Sequence, residues 1–123
     1  MSSPHRWTNC AHAVPRNMPS LTVVAPAWSS LLDHHETCGP EVADIATLAG
    51  FDPDPEQRLV LDQVFAFDRN GDSVAFESCV IAPRQNLKTA VAKMCALGWL
   101  FLTEQRLVVW SAHEFRTAQE AFR

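Results

Sequence analysis

Two hydrophobic periods alternate along this chain, and each change of period marks a change of element. After Gly39 and Pro40, the run EVADIATLAG places Val42, Ile45 and Leu48 at helical spacing. Pro40 suits a first turn, Glu41 and Asp44 sit near the positive N-terminal end, and Gly50 stops the helix. In DPDPEQRLVLDQVFAF, Asp54 is a cap, Pro55 fits the first helical position, and Leu59, Val60, Val64 and Phe67 lie near one face. Phe51 to Pro53 makes the turn between these helices. Asn70 and Gly71 form a turn dipeptide that readily takes positive φ.

From Ser73 to Ala82 the period becomes two, and Cys79 to Ala82 is wholly apolar, as in a buried strand. Thr89 to Leu102 returns to helical spacing through Val91, Met94, Cys95 and Gly98, where Gly98 either ends the helix or lets it pack closely. Leu107 to Trp110 reads as a second buried strand, and a further helix starts at about Ser111 to Glu114. Strand, loop, helix, strand and helix in that order predict an α/β fold with parallel strands and a right-handed crossover.

The opening behaves differently. Residues 1 to 20 hold Pro4, Pro15 and Pro19 with no periodicity. Leu21 to Trp28 is interrupted by Pro26, and Ser29 to Glu36 is short and polar in its second half, so the stretch reads as an extended approach followed by one helical turn. The expected organisation is a poorly ordered leader over 1–38 and a domain over 39–123.

Composition narrows the function classes. The 123 residues suit one domain, 47% of them are hydrophobic, and the net charge is −4 with no basic block. A whole-surface electrostatic case for nucleic-acid binding is therefore missing. No apolar run approaches the roughly 20 residues that span a bilayer, so a cytoplasmic protein with no membrane contact is expected. Cys10, Cys38, Cys79 and Cys95 are irregularly spaced, which favours reduced thiols over a disulfide framework.

The segment APRQNLKT, Ala82 to Thr89, carries the clearest chemistry. A phosphate-binding loop needs backbone N–H groups turned toward an anion, a helix N-terminus behind them, a lysine for the β- and γ-phosphates and a hydroxyl for magnesium. Lys88 and Thr89 stand where a strand hands over to a helix. The two glycine positions of G-x-x-x-x-G-K-[ST] hold Ala82 and Leu87 instead. The second matters most, because that position often takes a backbone conformation that costs a residue with a Cβ about 1 kcal/mol or more. From these residues alone, two readings stand: a nucleotide site, or a plain βαβ unit whose Lys88 and Thr89 are solvated.

APRQNLKT resembles the deviant Walker A loop of the large subunit of tailed-phage terminases, where an Arg-Gln-Asn run precedes Gly-Lys-Ser or Gly-Lys-Thr. Leu in place of that Gly resembles the variant found in terminases of phages that infect actinobacteria. ALGWLFLTEQRLVVWSAHEFRTAQEAF is similar to the segment after the loop, and DPEQRLVLD to the adenine-contacting segment before it. The similarity runs in consistent order from about Gly39 to Arg123.

The resemblance implies a partial P-loop NTPase domain, preceded by short helices, that binds ATP and Mg²⁺. It implies that Lys88 neutralises the β- and γ-phosphates, Thr89 holds Mg²⁺, Arg84 stabilises the γ-phosphate and Gln57 reads adenine. The backbone of Gln85, Asn86 and Leu87 would cradle phosphate oxygens. In the complete protein the implied partners are double-stranded DNA, the portal protein and the small terminase subunit, in the cytoplasm of a phage-infected host. Such a motor also needs an acidic pair ending a later strand, and none follows the loop here. The expectation is thus the front part of an ATPase domain, inactive in hydrolysis by itself.

Plainer roles compete: Gln57 facing solvent, Arg84 paired with Glu77, Thr89 capping its helix. Other readings are a zinc module from Cys10, His12, His34, His35 and Cys38 at irregular spacing, a catalytic centre at His113 and Glu114, and a non-enzymatic interaction protein that keeps only the P-loop packing. DRNGDS also touches the calcium-loop pattern through Asp68, Asn70 and Asp72, but its glycine is two places early and Cys79 takes the place of the final Glu.

Overall fold

A computed structural model describes residues 26, 29–83 and 87–120. Strand β1 (Glu36–Thr37) leads into helix α1 (Gly39–Leu48), followed by α2 (Pro55–Val64), β2 (Ala66–Phe67), α3 (Lys88–Leu102) and α4 (Phe115–Glu120). The architecture is mixed and mainly helical, with a small antiparallel sheet in which Glu36 faces Phe67 and Thr37 faces Ala66.

The local signals act as the sequence suggests. Pro40 lies in the first turn of α1, and the chain leaves that helix through Gly50 at φ 90°. At α2, Asp54 Oδ1 accepts from Gln57 N at 2.8 Å while Gln57 Oε1 accepts from Asp54 N at 2.9 Å. This reciprocal capping box satisfies two donors that a helix start otherwise leaves unpaired. The helix ends at Val64, three residues before Phe67, because Ala66 and Phe67 bond to β1 instead.

Helices α1, α2 and α3 pack on one another around a single apolar cluster. Its buried members are Cys38, Val42, Ala43 and Ala46 from the first helix and its entry, Leu61, Phe65 and Phe67 from the second and its exit, and Val91, Met94 and Cys95 from the third. On α1 the buried stripe is rotated from the expected one: Ala43 and Ala46 face inward, while Leu48 is 89% exposed. Small residues win that face because the helices approach closely. A Cβ on Gly39 would fall 2.6 Å from Asp62 Cα, and backbone cannot yield as a side-chain tip can. Cys38, assigned above to the leader, is fully buried and disulfide-bonded, which departs from the expectation of reduced thiols. Cys79 and Cys95 are free.

Neither segment predicted to form a buried strand is a strand among the described residues. Ser73 makes one bridge to Phe67, and Val74 N donates to Ala66 O, so the chain turns back on β2 for two residues only. Beyond that, Phe76 and Ile81 are exposed, as are Leu107 and Val109 in the later segment. A strand is stable only when a neighbour takes its backbone hydrogen bonds.

Candidate functional site

Helix α3 begins one residue earlier than its spacing suggested, at Lys88, and buries Val91, Met94, Cys95 and Gly98 as the pattern required. It continues through Gly98 to Leu102, so that glycine serves close packing. Leu87 is its N-cap residue, with φ 62° and ψ −54°, and Val91 N donates to Leu87 O at 2.9 Å. Leu87 is the one non-glycine residue with positive φ among those described. The value falls in the γ-turn region that is rare and strained for a residue with a Cβ. The loop position where glycine was expected therefore does take a conformation that favours glycine, and Leu87 tolerates it.

Among the described residues no side chain caps this helix, and its first turn carries no acidic residue. Thr89 is thus not the cap, and it and Lys88 are both exposed, without a hydrogen bond or ion pair to a described residue. The first N–H groups of α3 point out of the helix with a lysine and a hydroxyl beside them, an arrangement that suits an anion. Arg84, Gln85 and Asn86, and with them the pairing of Arg84 with Glu77, lie outside the described residues.

Gln57 sits in the first turn of α2, and its side-chain oxygen is engaged by Asp54 N. Its amide NH₂ has no described acceptor, so it keeps a donor that could face a base edge. No hydrogen bond links Gln57 with Leu87, Lys88 or Thr89. The expected adenine contact and the expected phosphate contacts stand on separate helix starts.

A second cluster was not anticipated. Glu41 Oε2 is buried without a hydrogen-bond partner. Near it, the Asp62 carboxyl is held above the ordinary carboxylate range, chiefly by burial, while His34 and Arg58 pull it down and Glu41 pushes it up. The sequence signal was an acidic residue inside the apolar run LVLDQV. Asp68 is lowered instead, because it accepts from Asp72 N at 3.0 Å and Asn70 N at 2.8 Å. Its oxygens hold the DRNGD turn, in which Gly71 has φ 81°.

Among the described residues no group of three or more His, Cys, Asp or Glu could hold a metal ion. Thr89 would offer one magnesium ligand and phosphate oxygens others. The zinc reading loses Cys38, whose sulfur is in a disulfide, and Cys10 and His12 lie outside the described residues. His113 and Glu114 lie 3.9 Å apart on an exposed surface, with no described nucleophile hydrogen-bonded to them. No described helix is long and apolar enough to cross a membrane. No family model, curated protein or solved structure matches this chain.

Proposed function

We propose that this chain is part of the packaging ATPase of a tailed-phage terminase large subunit and binds Mg²⁺ and ATP at the start of α3. One observation carries the reading: a non-glycine residue held at φ 62° directly before an exposed Lys-Thr pair that opens a helix with no cap from a described side chain. Ordinary helix starts have no need of that strain, whereas a loop that aims successive N–H groups at phosphates does.

In this proposal the Lys88 ammonium lies against the β- and γ-phosphates, and the Thr89 hydroxyl and magnesium meet beside them. Backbone N–H groups of Gln85, Asn86 and Leu87 cradle the oxygens, Arg84 adds charge at the γ-phosphate, and the free amide of Gln57 reads adenine. The finer fold it requires is a parallel P-loop sheet, to which 73–82 and 107–110 would each contribute a strand. Hydrolysis would further need a carboxylate pair to hold magnesium and orient water.

Equilibrium binding of Mg·ATP to the purified chain and to Lys88→Ala tests the proposal. Lys88→Ala should weaken binding about tenfold or more, the scale of one lost charge-assisted contact. Equal affinity in both proteins would remove the nucleotide reading. It would favour a second reading, a non-enzymatic interaction protein, which rests on the exposed Phe76, Ile81, Leu107 and Val109.

A further inference from the structure

We infer that Leu87 is a positioning residue for phosphate binding, an inference that rests on the nucleotide reading above. Its side chain is partly buried and packs against the core cluster, although its backbone sits at φ 62°. Positions 87, 91, 94, 95 and 98 follow one helical stripe, so Leu87 extends the buried face of α3 past the helix start and into the loop. Glycine would relieve the backbone but could not reach the core. Leucine accepts the strain and ties the start of α3 to the core cluster through burial, which fixes the backbone that carries Lys88 and Thr89 before any ligand arrives.

The consequence runs against the motif. Restoring the usual glycine should harm the site. Leu87→Gly should bind Mg·ATP about tenfold more weakly than the native chain, because the ordering then falls on the binding step. Leu87→Ala keeps the burden on φ and loses the anchor, so it should be weaker as well. Leu87→Met, which still reaches the core, should stay within about twofold.

The test titrates each variant with Mg·ATP and with inorganic tripolyphosphate, at a temperature where circular dichroism shows it fully folded. A residue that orients the phosphate end must weaken both ligands in proportion, while a residue that only stabilises the fold leaves the affinity of the folded fraction unchanged. Lys88-dependent binding that Leu87→Gly and Leu87→Ala weaken and Leu87→Met preserves is the expected result. If Lys88-dependent binding is present and Leu87→Gly or Leu87→Ala binds as tightly as the native chain, the positioning role is overturned and the nucleotide reading survives. If the native chain shows no Lys88-dependent binding, both fall together.

Discussion

Gly98 on α3 lies against Phe65 at the end of α2 so closely that a Cβ at position 98 would come 2.6 Å from Phe65 Cζ, and 2.7 Å from Val42 Cγ2 on α1. All three core helices meet at this point, and the Phe65 ring also contacts Trp99, with centroids 5.7 Å apart and planes tilted by 40°. Gly98→Ala gains about 1 kcal/mol of helix propensity. Forcing Phe65 and Val42 aside costs about 1 to 3 kcal/mol. The expected result is a net loss of about 1 kcal/mol, read as a lower urea midpoint with an unchanged slope.

Gln57 has two candidate duties that one substitution separates. Glutamate at the same position keeps a capping-box acceptor for Asp54 N but has no NH₂ group to offer a base. Gln57→Glu should therefore leave thermal stability nearly unchanged while lowering ATP affinity and the preference for ATP over GTP. Unchanged nucleotide preference would reduce Gln57 to its capping role. Asp54→Ala breaks the box from the other side and should cost about 1 kcal/mol of stability.

Burial raises the Asp62 carboxyl, so the folded state holds its proton to higher pH than the unfolded chain does. Stability from this group is then fullest at low pH and falls as pH rises from the ordinary aspartate value of 3.8 toward the raised folded value. Asp62→Asn removes the dependence. Denaturation of both proteins from pH 4 to pH 7 should show the variant gaining on the native chain as pH rises, and parallel curves would remove the assignment.

The two described free cysteines, Cys79 and Cys95, should react at different rates. Cys79 is exposed, whereas Cys95 is buried and its thiol is pushed up to about 12 by desolvation. Thiolate is the reacting form. Iodoacetamide at pH 8 should label Cys79 in the native protein and Cys95 only after unfolding, as peptide mass spectrometry can read directly.

What the sequence made legible follows the range of the forces involved. Helices α1, α2 and α3 were readable because Pro40, Gly50, Asp54 and Pro55 act within a turn of where they stand. The inward face of α1 is not legible in the same way, because close approach of the helices selects Ala43 and Ala46 over larger apolar residues. The stretches 73–82 and 107–110 carry strand composition, but composition cannot supply the neighbour that a strand needs. At the candidate site, Lys88 and Thr89 were visible as residue types. The strain at Leu87 was inferred from a missing glycine, and its anchoring in the core was not legible in the loop itself.

The described residues of the helical cluster all fall between Cys38 and Leu102. During synthesis, at about 5 to 20 residues per second, that cluster can close as soon as Leu102 clears the ribosome. Leu107 and Val109 emerge afterwards and stay exposed, as do Phe76 and Ile81 before them. Chaperones would then meet a molecule whose interior is finished early and whose sticky surface comes from its extended segments.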